Sequence, residues 1–204
     1  MNTLEAISGR YSYRGTYKDT PIPREHLKAI MQAGLDAPSG CNKQTTSVIA
    51  VDDKEVLAKL NAVIDPPMAD TAPAFICVLT RKIIAYRDRT FYIQDYAAAI
   101  QNMLLAIHEL GYASCWVEGH VTDVDRIGDK MAAILGVPEE YKLVAYLPVG
   151  VPAAPWKRVK KKPFEDRAWF NGFQQSEQNP RCRSCLVPQP LIVCFNPSKS
   201  GGSL

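Results

Sequence analysis

Residues 90–110 carry Ala97, Ala98, Ile100, Leu104, Leu105, Ile107 and Leu110 at spacings that predict one long helix with little polar surface. A helix apolar round so much of its circumference has to be buried, inside its own protomer or against a partner. Everything else in the chain must therefore supply a cover for it. A short first helix is expected over residues 3–8. A second opens at Pro23 and runs through Leu35, with Leu27, Ile30 and Met31 on its apolar side. Residues 53–63 and 124–135 read as two further amphipathic helices. Strands are expected at 47–51, 74–80 and 142–149. Helices and strands mix without strict βαβ alternation, and no G-x-G-x-x-G run is present. An α+β fold is therefore expected in place of a dinucleotide-binding parallel sheet.

At 204 residues, one domain or one domain with a tail is expected. The composition changes at Gln175, after which polar residues and Pro180, Pro188, Pro190 and Pro197 dominate. Residues 1–174 are accordingly assigned to a domain and 175–204 to a flexible or non-native tail. Cys182-x-x-Cys185 with Cys194 lies in that tail. Three thiols without a histidine do not complete a zinc set, so no metal is expected. Cys41, Cys77 and Cys115 show no regular spacing and are expected to be buried or half-buried structural thiols. A formal net charge of +3 is too slight to argue for a nucleic-acid partner, and the basic run at 157–162 covers too narrow a face. Residues 1–10 lack the apolar core of a secretory leader, and no stretch reaches the length of a membrane span. A cytoplasmic location with no membrane partner is expected.

Two segments suggest a polar ligand site. In Arg10-Tyr11-Ser12-Tyr13-Arg14, alternate positions hold two guanidinium groups and a hydroxyl, which an extended backbone turns to one face. Guanidinium forks pair bidentately with oxyanions, so this is a phosphate grip or, failing that, a solvated basic strand. Ala37-Pro38-Ser39-Gly40-Cys41-Asn42-Lys43-Gln44 lies between a helix and a strand. Pro38 stops the helix and Gly40 frees the backbone, leaving amides and hydroxyls for a ligand rim or for a simple connection.

Five motifs in order resemble the nitroreductase family. Its R-x-S-x-R is matched by Arg10, Ser12 and Arg14, and its P-S-x-x-N-x-Q by Pro38, Ser39, Asn42 and Gln44. A D-x-x-x-A-x-Q-N helix running into G-x-x-S-C-W is matched by Asp95, Ala99, Gln101, Asn102, Gly111, Ser114, Cys115 and Trp116. The likeness continues through residues 135–138 and 147–152 and closes at Lys162-Pro163-Phe164-Glu165. Two departures stand out. Thr45-Thr46 occupy the place where the family usually has Pro-Trp, and Lys160, Lys161 and Lys162 stand where arginine is common.

The resemblance implies a nitroreductase-like fold, with a central, mostly antiparallel sheet flanked by helices and two intertwined protomers. It implies one FMN per protomer and NADH or NADPH as reductant. Arg10 and Ser12, with the neighbouring Tyr11, would hold the phosphate and ribityl end, joined by Lys160 and Lys162. Arg14 would lie at the pyrimidine edge. In Val117-Glu118-Gly119, a main-chain N–H would face flavin N5. Pro38, Ser39, Gly40 and Asn42 would approach from the opposite protomer of a homodimer. The activity implied is ping-pong reduction of nitroaromatics, quinones or related small acceptors, with no catalytic side chain. A flavin-storage or regulatory protein is the alternative, or a flavin-consuming or dehalogenating branch of the same superfamily. His120 beside the turn is a candidate proton relay or a solvated loop residue; His26 and His108 receive no role.

Overall fold

Ala74–Thr80 (β2) is buried at every position, because it is the middle strand of a three-stranded antiparallel sheet with a helical layer on each face. The computed structural model describes residues 2–156 and 159–173. The chain divides after Val159 into two compact units. In the first, Thr46–Val51 (β1) pairs with β2 from Thr46↔Thr80 to Val51↔Phe75. Lys142–Val149 (β5) borders the other side, from Ala74↔Val149 to Thr80↔Lys142, with an irregularity at Val78/Leu79. Alternation along β2 divides the core in two. Phe75, Cys77 and Leu79 join Leu57, Leu60 and Met131 on one face. Ala74, Ile76 and Val78 join Leu27, Ile30, Ile100, Met103 and Ile107 on the other.

Those two layers are helix pairs. Lys54–Asn61 (α3) and Ile127–Ile134 (α5) cover the first face. Arg24–Leu35 (α2) and Tyr92–Glu109 (α4) cover the second. The long helix is thus buried mainly within its own protomer, through Tyr96, Ala99, Ile100, Met103, Leu104 and Ile107. Ala97, Ala98 and Leu105 remain half-buried. Thr3–Gly9 (α1) packs on α4. Asn2 and Glu5 form a reciprocal cap at its start, each side chain accepting from the other's backbone N–H at 3.0 and 2.9 Å.

Several boundaries differ from those expected. The long helix begins at Tyr92, because Arg89–Thr90 (β4) turns back on Ile84–Tyr86 (β3) as a short hairpin. Its seven residues alternate too briefly to register as strands. The helix expected from Val124 begins at Ile127. Arg126 adopts a left-handed backbone (φ 52°), and Val124 is 86% exposed. The 53–63 segment keeps Asp53 as an N-cap, accepting from the Glu55 and Val56 N–H groups at 3.0 Å. Helix α3 itself ends at Asn61.

Gly128 sets how closely α5 approaches the sheet. A Cβ there would stand 2.4 Å from the Leu143 carbonyl oxygen and 2.8 Å from that of Val121, and backbone atoms cannot swing aside. Gly128→Ala is expected to lower stability by about 1–3 kcal/mol, the usual range for overpacking. Urea unfolding measures it, and an unchanged midpoint would mean that α5 slides without cost.

In the second unit the described residues, 160–173, contain one 3-10 turn, Phe164–Asp166. The Phe164 and Phe170 rings lie 6.2 Å apart there, and those of Trp169 and Phe173 4.3 Å. The expected boundary at 174/175 and the cysteines of the tail lie outside the described residues, as do Lys157 and Arg158.

Candidate functional site

An edge extension of the sheet brings the two ends of the motif set together. Val117 N–H donates to the Tyr146 carbonyl of β5 at 3.2 Å, and Tyr146 N–H returns the bond at 3.0 Å. One step further out, Ser12 forms a parallel bridge with Ser114, and Tyr13 N–H donates to the Ser114 carbonyl at 2.8 Å. The 10–14 segment is therefore extended around Ser12 and Tyr13. Tyr13 points into the core, where its ring meets Tyr17 edge-on at 5.0 Å. Ser12 and Arg14 are left less buried.

Arg10 leaves α1 with its N–H bonded to the Ala6 carbonyl at 2.9 Å. Its Nε is buried and has no hydrogen-bond partner among the described residues. A buried guanidinium nitrogen without an acceptor costs free energy unless something outside the protein supplies one. Beside it, a cavity of about 10 Å³ is lined in part by Tyr11, His108 and Ser114. That is room for one water, so any larger ligand must lie on the open surface above. Arg14 is exposed and close enough to Cys115 for its charge to oppose the burial that pushes the thiol up to about 11.

At the turn following Val117, Glu118 and Gly119 donate their main-chain N–H groups to no acceptor among the described residues. A Cβ on Gly119 would meet nothing within 4 Å, so the turn borders open space. The Glu118 side chain is tied back: Oε1 accepts from the Tyr96 hydroxyl at 2.7 Å. Burial first, and then this bond to a carboxylate, push the Tyr96 hydroxyl pKa up. The tyrosine therefore stays a donor, and the turn is anchored to α4. His120 is exposed beside it.

The 38–45 loop is held from the same helix. Cys41, Asn42 and Gln44 all have left-handed backbones, with φ of 50°, 52° and 48°. Such conformations in non-glycine residues persist where surrounding contacts impose them. Here Asp95, itself buried, imposes them: Oδ1 accepts from Gly40 N–H at 2.8 Å and Oδ2 from the Thr45 hydroxyl at 2.6 Å. Phe91 closes on Gly40 so tightly that a Cβ there would lie 2.6 Å from its ring. Ser39 Oγ accepts from Gln44 N–H at 3.0 Å. The Thr45-Thr46 departure acquires a reason at Thr45, because proline could not donate to Asp95. Thr46 Oγ1 is buried without a partner among the described residues, and nothing in the structure explains it.

Arg10, Tyr11, Ser12, Arg14, Val117, Glu118 and Gly119 thus converge along one sheet edge. Pro38, Ser39, Gly40 and Asn42 form a separate loop tethered to the start of α4. Lys160 and Lys162 belong to the second unit, where both are exposed. Cys77 and Cys115 are buried, but Cys41 is exposed, because its left-handed turn carries it to the loop surface. The expectation of three buried or half-buried thiols fails there. Tyr96 escaped notice because a tyrosine in an apolar helix reads as core packing.

The sequence profile of the Nitroreductase family matches residues 7–66 and 62–151. A protein from Methanothermobacter thermautotrophicus, provisionally described as an NADH dehydrogenase/NAD(P)H nitroreductase, is 32% identical over 155 residues, covering 75% of this chain and 78% of that one. An FMN reductase [NAD(P)H] of Bacillus subtilis is 28% identical over 149 residues, 71% of this chain and 59% of its own. The structure of an FMN-dependent nitroreductase from Clostridium difficile R20291 superposes with a TM-score of 0.71 at 26% identity, spanning 84% of this chain and all of its own (100%).

Proposed function

We propose, from the premise that this chain belongs to the nitroreductase family, that it is an FMN-dependent NAD(P)H oxidoreductase acting on nitroaromatics, quinones or related small acceptors. The observation that carries this most directly is the pairing of a buried Arg10 Nε with two N–H groups at Glu118 and Gly119, none of which has a partner among the described residues. These are the groups that an anionic phosphate and a flavin ring nitrogen would satisfy. The residues present therefore fit FMN.

Bound FMN supplies the centre that takes hydride from NAD(P)H and passes two electrons to the acceptor. The chain's own part is grip and orientation. Arg10 would supply the charge for the phosphate, with the Ser12 hydroxyl beside it. Arg14 would place a cation at the pyrimidine edge and favour negative charge there. The Glu118–Gly119 turn, held by Tyr96 and by the Tyr146 pairing, would offer main-chain donors that need not reorganise. Lys160 and Lys162 would add cations to the phosphate. Pro38, Ser39, Gly40 and Asn42 would close the site from the partner protomer of a homodimer. The half-buried Ala97, Ala98 and Leu105 are consistent with a cover from a second chain.

The purified protein is expected to release one FMN per protomer on denaturation, to sediment at twice the chain mass at micromolar concentration, and to oxidise NADH or NADPH in air. Released FAD, or no flavin after reconstitution, would overturn the cofactor. A flavin-loaded monomer would overturn the shared site. Bound FMN without pyridine-nucleotide oxidation would identify a storage or regulatory protein.

A further inference from the structure

Resting on that oxidoreductase reading, we infer that the β3–β4 hairpin is a recognition site for the adenosine 2′-phosphate of NADPH, and that the protein prefers NADPH over NADH. The positive charge of the chain is unevenly placed. Lys82, Arg87 and Arg89 are all exposed within eight residues and are accompanied by one acid, Asp88. Tyr86 and Arg89 are directly paired across the hairpin, which puts their side chains on the same face. The guanidinium of Arg87 lies over the Tyr86 ring, 5.2 Å from its centroid. Arg87 thus lies over the Tyr86 ring, and Arg89 is the residue that faces Tyr86 across the strands. Neither arginine has a carboxylate partner among the described residues.

Two exposed arginines on one tight turn repel each other, and an anion held by both relieves that repulsion. A phosphate monoester brings about −1.5 to −2 charges and three acceptor oxygens, matched to guanidinium forks. Tyr86, 52% exposed, offers a stacking surface for the attached purine. NADH has a hydroxyl where NADPH has this phosphate, so such a site discriminates between the two. Two arginines on the hairpin and Lys82 just ahead of it are too small a footprint for a nucleic-acid backbone.

Position supports the same ligand. Strand β3 packs against the 3-10 turn Gly40–Asn42, and the residue that follows the hairpin, Phe91, is pressed against Gly40. The hairpin therefore borders the loop assigned to the flavin site. NADPH places its phosphate at the far end from the nicotinamide, so a phosphate site at the rim and not at the reacting ring is the arrangement required.

The test uses flavin-loaded protein carrying Arg87→Ala and Arg89→Ala together. The ratio of kcat/KM for NADPH to that for NADH should fall roughly tenfold or more, as for lost charge-assisted bonds. Calorimetric titration with adenosine 2′,5′-bisphosphate should show a comparable loss of affinity, and the parent protein's affinity should weaken with added salt. A ratio altered less than threefold would overturn the assignment. So would an equal fall for both nucleotides, which would indicate pyrophosphate contact, or a parent protein that favours NADH. If the protein carries no flavin, the oxidoreductase reading fails by itself. The bisphosphate titration then decides the hairpin alone, and unchanged affinity in the variant would overturn it.

Discussion

Arg10→Ala is expected to raise the FMN dissociation constant by well over tenfold while leaving the fold of the apoprotein nearly as stable. The cost to binding should be about 2–5 kcal/mol, the range for truncating one side of a buried charge pair. Stability should hold because Arg10 gives its Nε to no acceptor among the described residues, and its backbone N–H bond to Ala6 survives the substitution. Arg10→Lys should fall between, keeping the charge but losing the fork. Fluorescence titration of FMN into apoprotein measures the first effect and urea unfolding the second. A change below threefold in dissociation constant would move the phosphate elsewhere. A large loss of stability would mean that Arg10 is a structural residue after all.

How far the fold and the site were legible depended on sequence separation. The β2 strand and the body of α4 were legible because burial writes continuous apolar runs into the chain. The helix after Asp53 was legible from its amphipathic spacing. The β3–β4 hairpin was not legible, being too short for a period and held partly by its contact with the 40–42 turn. Arg126 marks where α5 begins through a left-handed backbone that no residue-type rule demands. At the site, the convergence of residues 10–14 with 114–119 followed from the family resemblance. Neither segment by itself carries a signal for the Ser12–Ser114 bridge. Asp95 was visible as a motif letter without a task, because its acceptor role links it to residues 50 and 55 positions away. The Tyr96–Glu118 bond spans 22 positions and reads locally as two unrelated residues.

Asp95→Ala should then have the opposite profile to Arg10→Ala, with loss of stability first and of binding as its consequence. The carboxylate satisfies two donors inside the protein, Gly40 N–H and the Thr45 hydroxyl, and Thr45 is only 1% exposed. Leaving a buried donor without an acceptor costs about 1–3 kcal/mol each. Two together set an expected loss of about 2–6 kcal/mol, a large part of the stability of an ordinary domain. Asp95 also lies in the first turn of α4, where a negative charge is favoured by the helix dipole. The strain of three left-handed residues in the loop then has little to hold it, so amide exchange at Gly40 should accelerate well beyond that of the β2 amides. Thr45→Val tests whether the two effects share a cause. It removes one donor, so the double variant should be less destabilised than the sum of the singles. Strict additivity, or an Asp95→Ala loss below about 1 kcal/mol against the expected range, would mean that the loop is held by the packing of Phe91 on Gly40 and not by the carboxylate.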